Sequence, residues 1–505
     1  MMDVPWWKRA VIYQIYPRSF ADTSGDGIGD LPGIHLHLDH LSWLGVDGLW
    51  LSPIFPSPMA DFGYDVANYA DVDPVFGTLD DFDEMLGSVH RRGLRLLLDW
   101  VPNHTSDRHP WFMASRGSRS NPYRDWYIWR DEPNNWRQAF ADGPAWTFDA
   151  RTGQYYLHLF LPQQPDLNWN NDAVRAAMHD TLRFWLDRGV DGFRADVVHL
   201  IGKDPQLPDD SEARSRVSRV AFHTDPRTHT WLREIREVLD DYDGQRVMVG
   251  EVNLPDPARV ATHTGPDQLH LAFNFNLLRA AWDATAFRSA IASVEAASAG
   301  PDGWPTWVLS NHDESRHRTR YGGSEARARA AAVVLLTLRG TPFLYAGEEL
   351  GLEDAIVPPE RAVDPGGRDP CRAPIPWNSR PNHGWAGADP WLPWPPEPET
   401  RNAASQRRDP DSIANLYRRL LARRHDDQVL QLGALELLDV ATDVLAYDRG
   451  DQADRRRVLV NFSDEPVTVD AGTWTVIVGT RRRREGDAFD GRLKAAEAVV
   501  LEPAG

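Results

Sequence analysis

Short apolar runs recur along the chain and alternate with longer stretches of helical periodicity. The apolar runs, several of them β-branched, lie at residues 11–17, 48–53, 94–103, 190–198, 246–252, 271–276, 307–313 and 341–349. Helix-like stretches lie between them, for example at 79–92, 173–188, 230–240 and 325–338. Because strands that alternate with helices are typical of parallel sheets, these runs predict an α/β fold whose strands close into a (β/α)8 TIM barrel.

The spacing of the runs departs from this pattern at two places. Residues 104–170, rich in Trp, Asn, Asp and Pro, separate the third run from the fourth, and this length favours an inserted domain over a loop. Beyond residue 428, apolar and polar residues alternate in several short segments, as in antiparallel strands. We therefore predict a barrel domain at 1–103 and 171–428, an inserted domain at 104–170 and a C-terminal antiparallel β domain at 429–505.

Composition and charge narrow the range of partners and compartments. No segment offers the roughly 18 uninterrupted apolar residues of a membrane helix, and the N-terminus lacks the pattern of a secretory signal. The single cysteine, Cys371, excludes an intrachain disulfide and agrees with a reducing compartment. A net charge of −19 disfavours nucleic acid, because phosphate would be repelled. We expect a cytoplasmic protein that binds neither membranes nor nucleic acids, and the sequence indicates no particular oligomeric state.

Polar and charged side chains collect where the predicted barrel strands end. Four strand ends carry them: Asp99, Asn103 and His104; Arg194 and Asp196; Glu251; and Asn311, His312 and Asp313. A single such residue would more often be a helix cap or a hydrogen-bonded core group. Because the carboxyl ends of the strands form the face of a (β/α)8 barrel where active sites lie, the four ends together favour a reaction centre.

Two of these carboxyl groups suit the cleavage of a glycosidic bond. That reaction needs one ionised and one protonated carboxyl group beside the bond. Asp196 lies two residues after Arg194, so we expect the guanidinium to lower the pKa of Asp196 and keep it ionised. Glu251 has no adjacent cation in the sequence, and its apolar neighbours are expected to favour the protonated acid.

Six segments resemble the conserved regions of one enzyme family. DWVPNH (99–104), GFRADVV (192–198), GEV (250–252) and SNHD (310–313) are similar, in order and spacing, to the four signature regions of the α-amylase family of glycoside hydrolases. QPDLNW (164–169) and GTPFLYAGEELG (340–351) resemble further regions of its oligo-1,6-glucosidase and α-glucosidase branch. The resemblance implies a retaining mechanism, a (β/α)8 domain, an inserted domain after the third strand and a C-terminal β-sandwich.

The resemblance also implies roles for individual residues. Asp196 resembles the catalytic nucleophile, Glu251 the acid/base, and Asp313 a third acid that binds sugar hydroxyls and stabilises the transition state. The side chains that would hydrogen-bond the glucose in the cleaving subsite are His104, Arg194 and His312.

Four further residues are expected to shape the substrate pocket. In DFGYD, Asp61 and Tyr64 resemble residues that recognise the non-reducing end of the sugar and stack on its ring. Arg372 resembles an arginine that pairs with that aspartate and closes the pocket, which would restrict cleavage to terminal glucose. Val197, directly after the nucleophile, resembles the valine that tends to accompany action on α-1,6 bonds.

These features predict an exo-acting α-glucosidase that hydrolyses short α-linked oligosaccharides or disaccharides through a covalent glucosyl-enzyme intermediate. The preferred bond stays open among α-1,6, α-1,4, α-1,3 and α-1,2 linkages, trehalose and sucrose. An acceptor-selective α-glucosyltransferase is the alternative, because a sugar hydroxyl can intercept the same intermediate in place of water. The presence of all three acids disfavours a non-enzymatic binding subunit of the same fold.

The segment DTSGDGIGD (22–30) suggests a calcium loop. It begins like an EF-hand, but Gly33 occupies the twelfth position, where an EF-hand has a bidentate Glu. The segment resembles instead a calcium loop of the oligo-1,6-glucosidase branch, whose implied ligands here are Asp22, Ser24, Asp26, the Ile28 carbonyl and Asp30. Ser24 stands where relatives usually carry Asn. The ion would have a structural role, and a metal-free Asp/Gly turn is the alternative.

Overall fold

The computed structural model describes residues 4–140, 143–210, 224–300, 303–387, 389–470 and 472–504. The strands are β1 (Ile12–Ile15), β2 (Gly48–Leu51), β3 (Arg95–Trp100), β4 (Trp129–Arg130), β5 (Trp146–Asp149), β6 (Gln154–Leu157), β7 (Gly192–Ala195), β8 (Val247–Gly250), β9 (Leu271–Ala272), β10 (Thr306–Val308), β11 (Thr341–Tyr345), β12 (Leu435–Ala441), β13 (Val444–Gly450), β14 (Arg455–Asn461), β15 (Val467–Thr468), β16 (Trp474–Gly479), β17 (Arg492–Leu493) and β18 (Ala498–Pro503). The helices are α1 (Leu31–Leu36), α2 (Leu38–Leu44), α3 (Leu79–Arg91), α4 (Pro110–Ser115), α5 (Asp172–Asp187), α6 (Thr228–Asp240), α7 (Pro257–Ala261), α8 (Ala284–Ala297), α9 (His317–Arg320), α10 (Glu325–Thr337), α11 (Ala403–Arg408), α12 (Ile413–Asp426) and α13 (Gln428–Leu432).

A parallel sheet made of β1, β2, β3, β7, β8, β9, β10 and β11 curves into the predicted barrel. The strands pair in the order β10-β11-β1-β2-β3-β7-β8-β9, in which β11 pairs with β1, for example Phe343 with Ile12. A side chain links β9 to β10: the Thr306 hydroxyl donates to the Ala272 carbonyl at 2.8 Å and accepts from the Asn274 N–H at 3.3 Å. Each apolar run identified in the sequence overlaps one of these strands, so the predicted barrel is confirmed.

Both faces of the barrel strands are buried, which explains their nearly continuous apolar sequences. In β2, Trp50 belongs to an interior cluster with Leu97 and Phe343, whereas Leu49 and Leu51 belong to the core shared with the surrounding helices. Successive side chains of a strand point to opposite faces, so one short run supplies both layers. The helix α10 is buried over most of its length because it lies between the barrel and the C-terminal sheet.

The chain between β3 and β7 contains α4 and a three-stranded antiparallel sheet in the order β4-β6-β5. Side chains of this insertion bind the loop that follows β7. Arg130 Nη1 and Asn134 Nδ2 donate to the Leu207 carbonyl at 2.9 and 3.0 Å, and Trp136 Nε1 donates to the Pro208 carbonyl at 2.9 Å. The insertion therefore contacts the segment that follows the predicted nucleophile.

The C-terminal part of the chain contains two antiparallel sheets, one of β12, β13, β14, β18 and β16 and one of β15 and β17. One face of the larger sheet packs against the smaller sheet through residues such as Val476 and Leu493. Its other face joins the barrel core, where Tyr447 Oη lies 2.6 Å from Thr337 Oγ1 of α10. The predicted C-terminal β fold is confirmed. None of the helices within the described ranges combines the length and apolar character needed to cross a bilayer.

Candidate active site

The polar side chains at the carboxyl ends of the barrel strands meet around one cavity of about 500 Å³. The lining includes predicted residues from five segments of the chain: Asp61, Tyr64, His104, Asp196, Val197, Glu251 and Asp313. It also includes residues that the sequence analysis did not single out: Ala139, Phe140, Phe160, Gln164, His199, Leu200, Asn253, Phe275, Arg279, Glu314, Gly366 and Arg368. The cavity is of a size typical of small-molecule sites.

One arginine binds three carboxyl groups at the floor of this cavity. Arg194 Nη1 lies 2.7 Å from both Asp99 Oδ1 and Asp196 Oδ1, and its Nη2 donates to Glu251 Oε2. Backbone hydrogen bonds between neighbouring strands set this arrangement. The N–H of Asp196 donates to the carbonyl of the last residue of β3, and the N–H of Glu251 donates to the carbonyl of the last residue of β7, each at 2.8 Å. Asp196 and Glu251 therefore approach each other across a single guanidinium group.

The electrostatics of this cluster correct the expectation for Asp196. Burial raises the pKa of Asp196 well above its usual range, and the carboxyl groups of Glu251 and Asp99 add to the shift against the attraction of Arg194. Burial also raises the pKa of Asp99 to about 6, again against Arg194. Arg194 lowers the pKa of Asp196 as expected, but burial and the neighbouring carboxyl groups outweigh this effect, so the net shift is upward and the expectation that Arg194 alone sets the pKa is wrong.

Asp313 has the opposite electrostatic environment. Its Oδ1 lies 3.0 Å from Arg368 Nη1 and 3.1 Å from Arg372 Nη2, and its Oδ2 lies 3.4 Å from His312 Nε2. Burial alone would raise its pKa, but His312 and the two arginines outweigh burial and hold the pKa of Asp313 well below its usual range. Asp313 is therefore ionised at neutral pH, which agrees with the role predicted for it.

The pairing predicted for Arg372 is wrong, because the arginine that binds Asp61 is Arg368. Arg368 Nη2 donates to Asp61 Oδ1, and the same guanidinium binds Asp364 Oδ1 at 2.6 Å. Arg372 is turned away from Asp61: its Nε donates to the His312 carbonyl at 2.7 Å and its Nη2 binds Asp313. A short 3-10 helix at Asp369–Arg372 separates the two guanidinium groups, which stand four residues apart.

Tyr64 and His312 are tied into the same network by matched donors and acceptors. Tyr64 Oη donates to Asp99 Oδ2 at 3.0 Å and lies 2.5 Å from His312 Nε2, while Gln14 Nε2 lies 2.7 Å from His312 Nδ1. The amide N–H of Gln14 can only donate, so Nδ1 accepts and the ring proton lies on Nε2, facing Tyr64. Burial lowers the pKa of His312 to about 3. The ring is therefore neutral, and it stacks on Tyr64 at 5.4 Å.

Val197 adopts a backbone conformation that is rare for a β-branched residue. Its φ of 34° and ψ of 39° lie in the left-handed region, where valine is strained. The sharp turn ends β7 directly after Asp196 and brings the Val197 N–H to 3.4 Å from Glu251 Oε2. Strain of this kind, of the order of 1–3 kcal/mol, is typical of functional sites. Val197 therefore helps to set the distance between the two carboxyl groups as well as lining the cavity.

The predicted calcium ligands lie together in the loop before α1, but their oxygens face amide groups. Asp22 accepts from the Gly25 and Gly27 N–H groups, and Asp30 accepts from those of Thr23 and Gly33. The remaining members of the predicted set are Ser24, Asp26 and Ile28, of which Asp26 accepts from the Ile28 N–H. Within the part of the chain that the structure describes, no group of three or more His, Cys, Asp or Glu side chains has metal-binding geometry. Calcium binding at this loop stays a prediction.

A sequence profile described as the α-amylase catalytic domain matches residues 14–433, which include every side chain of the cavity and the barrel strands from the second half of β1 onward. The chain belongs to the α-amylase family of glycoside hydrolases. A protein described as a probable α-glucosidase of Rhizobium meliloti (strain 1021) is 42% identical over 92% of this chain and 91% of its own length. An oligo-1,6-glucosidase of Parageobacillus thermoglucosidasius is 38% identical over 92% of each chain.

Solved structures of α-amylase family members share the whole architecture. An enzyme described as the α-glucosyl transfer enzyme XgtA superposes with a TM-score of 0.93 at 40% identity, covering 99% of this chain and 100% of its own. The match extends over barrel, insertion and C-terminal sheets alike. Hydrolases and a transferase thus share this fold, so the fold alone does not decide between water and a sugar as the acceptor.

Proposed function

We propose that this α-amylase family member is a retaining, exo-acting α-glucosidase that removes terminal non-reducing glucose from short α-linked oligosaccharides or disaccharides. The observation that carries the proposal is the sharing of Arg194 by Asp196 and Glu251 at the floor of a cavity whose wall contains the Asp61–Arg368 ion pair. Two carboxyl groups brought this close suit a retaining mechanism, in which about 5–5.5 Å separates them.

In the first step, the carboxylate of Asp196 attacks the anomeric carbon while Glu251 donates its proton to the glycosidic oxygen. The bond between that carbon and the leaving sugar breaks, and a glucosyl ester of Asp196 forms. Positive charge builds up on the ring in the transition state, and the ionised Asp313 stabilises it. Burial raises the pKa values of Asp196 and Asp99, which share Arg194 with Glu251, and this supports the retention of a proton within the cluster.

In the second step, Glu251 removes a proton from water, and the oxygen of that water displaces Asp196 from the sugar. The product is α-glucose, because two displacements on the same carbon restore its configuration. A sugar hydroxyl can replace water in this step, so we also propose that the enzyme transfers glucose to acceptors. An acceptor-selective glucosyltransferase is the second candidate, supported by the similarity to XgtA.

The exo mode of action rests on the wall of the cavity beside Asp61. Arg368 binds Asp61, Asp364 and Asp313, and its side chain is only 11% exposed to solvent. Phe140 adds to this wall, since its ring lies 4.8 Å from the Arg368 guanidinium. We propose that this wall blocks a sugar chain from continuing beyond the first glucose. The substrate would therefore enter with its non-reducing end toward Asp61.

We also propose a cytoplasmic location and α-glucosides as the ligands of this protein. The location is supported by a buried, unpaired cysteine, Cys371, which suits a reducing compartment. Calcium, if it binds near Asp22, would stabilise the fold and take no part in the reaction.

A proton NMR time course with one disaccharide at a time tests the proposed function. The panel is isomaltose, maltose, nigerose, kojibiose, trehalose and sucrose. We expect early release of α-glucose from one or two of them, which would identify the bond and the retention of configuration together. Dominant formation of new glucosides would favour the transferase. Release of β-glucose, or no turnover of any disaccharide by the folded protein, would contradict the proposal.

A further inference from the structure

A buried lysine joins three segments that line the sugar pocket. Lys203 is 2% exposed and lies in the loop that follows β7. Its Nζ binds Asp166 Oδ2 of the insertion at 2.7 Å and donates to Asn103 Oδ1, after β3, at 2.6 Å. Asp166 and Asn103 are fully buried. Each of the three segments also carries a cavity residue, and His104 directly follows Asn103.

The ammonium group determines which way the Asn103 amide points. An ammonium group only donates, so the oxygen of Asn103 must face Lys203. The nitrogen of the same amide then faces the other side, where it donates to Asp166 Oδ2 at 3.3 Å and lies 3.1 Å from His104 Nδ1. The His104 Nδ1 therefore meets a fixed N–H donor.

The second ring nitrogen of His104 also meets a fixed donor. Gln164 Nε2 lies 3.1 Å from His104 Nε2 and donates to Asp61 Oδ2 at 2.9 Å, while Gln164 Oε1 accepts from the Leu161 N–H. A neutral imidazole carries one N–H and accepts at its other nitrogen, so only one of the two donors opposes it, whereas a protonated imidazole carries N–H at both nitrogens and is opposed on both sides. Burial, with a smaller contribution from the charge of Lys203, lowers the pKa of His104 to about 4, against the opposing effects of Asp166 and the Tyr64 backbone.

We propose that Lys203 is a positioning residue for the glucosidase reaction: by fixing the Asn103 amide, it holds the His104 ring neutral and oriented toward a sugar hydroxyl. Lys203 does not line the cavity wall that His104 and Gln164 form, so it acts through Asn103. The inference rests on the proposed function in one respect only, the nature of the ligand that His104 meets.

Lys203→Met removes the donor and leaves the Asn103 amide free to turn its oxygen toward His104 Nδ1. A protonated His104 would then have an acceptor, and its charge would replace the lost ammonium beside Asp166. We expect the pKa of His104 to rise above its native value of about 4, while burial, which the substitution leaves in place, still holds it below the ordinary histidine value. Histidine C2–H titration by NMR measures this in the free protein, with a His104→Asn spectrum for assignment. Lys203→Arg should keep the low pKa, because a guanidinium also only donates.

Kinetics with p-nitrophenyl α-glucoside and its four monodeoxy forms test the link to the substrate. In the native enzyme, loss of the hydroxyl that contacts His104 should lower kcat/KM by roughly 10-fold, the worth of one hydrogen bond. In Lys203→Met, removal of this hydroxyl should no longer lower kcat/KM, whereas removal of each of the other three hydroxyls should lower it as in the native enzyme. Lys494→Met, at an exposed position, is the matched control and should change nothing.

The outcomes separate the two proposals. If Lys203→Met does not fold, Lys203→Met with Asp166→Asn removes the uncompensated buried carboxylate and allows the kinetic comparison. An unchanged His104 pKa, or an equal loss of kcat/KM for all five substrates, would overturn the role of Lys203 and leave the glucosidase proposal intact. No hydrolysis of any substrate by the native enzyme would overturn the glucosidase proposal. The NMR titration of His104 in the free protein would still test whether Lys203 sets the pKa of that ring.

Discussion

The ion pair between Asp61 and Arg368 provides the strongest test of the pocket wall. Both side chains are buried, at 4% and 11% of their full exposure, and they come from segments 307 residues apart. Arg368→Ala would leave the Asp61 carboxylate in the cavity wall with the Gln164 amide as its remaining hydrogen-bond donor among the described side chains. Removing one partner of a buried ion pair destabilises a protein by about 3–5 kcal/mol, because the other charge stays unpaired.

This free energy corresponds to a measurable change in thermal stability. An unfolding entropy of about 2.1 cal/mol/K per residue converts it into a fall of roughly 3–5 °C in Tm for a chain of 505 residues. Asp61→Asn combined with Arg368→Ala should recover part of this loss, since no carboxylate is then left unpaired. The coupling energy of this double-mutant cycle should exceed about 1.5 kcal/mol, whereas a cycle between Asp61 and Arg372 should give less than about 0.5 kcal/mol.

The variant should also respond to pH in a defined direction. Burial raises the pKa of Asp61 already in the native protein, against the attraction of Arg368. Without Arg368 the pKa rises further, so the folded variant keeps a proton that the unfolded chain has lost. Stability then falls as the pH increases from the ordinary aspartate value to the raised one. The Tm difference between native and variant proteins should therefore grow from pH 5 to pH 8. A constant difference, or stronger coupling of Asp61 to Arg372, would refute the assignment of Arg368.

Four further predictions address the reaction and the fold. Asp196→Asn should abolish turnover with an unchanged circular dichroism spectrum, and Asp180→Asn, on the exposed side of α5, should retain full activity. The acid limb of kcat/KM should lie well above pH 4, because the raised pKa of Asp196 delays its ionisation; a limb below pH 4 would contradict the shared-arginine cluster. Saturating Ca²⁺ should raise the Tm of the native protein but not that of Asp22→Ala, with EGTA as the reference; an unchanged native Tm would contradict the calcium loop. Thr306→Val should lower the unfolding free energy by about 1–3 kcal/mol, because the Ala272 carbonyl loses its donor between β9 and β10.

The barrel and the ends of its strands were predictable because local patterns determine them. A strand buried on both faces is apolar throughout. A charged residue that interrupts such a run, as Arg194 does, therefore marks a place where the free-energy cost of burying a charge is offset by ion pairs or by a catalytic role. The topology then places all strand ends on one face, and this gathers Asp196, Glu251 and Asp313 without any further information.

The roles of Arg368 and Arg372 could not be read from the sequence in the same way. Both stand in one irregular loop, GRDPCR, and either could reach an acid contributed by a distant segment. The 3-10 turn between them sends one guanidinium to Asp61 and the other to the His312 carbonyl. Such a choice depends on the packing of the loop against the barrel and has no periodic signal. Gln164 and Lys203 escaped notice for the same reason, since their partners lie in other segments.

The error over Asp196 has a physical lesson about the whole site. Arg194 is its neighbour in sequence, but Asp99 and Glu251 bind the same guanidinium, and burial raises the pKa values of Asp196 and Asp99. Asp313 instead forms ion pairs with two arginines, and its pKa is lowered. The site therefore contains two electrostatic environments. In the cluster around Arg194, several carboxyl groups share one cation and a proton tends to be retained. Asp313, by contrast, pairs with two cations and stays charged. A reaction that passes one proton between leaving group and water while a cationic transition state forms needs both kinds of environment within one cavity.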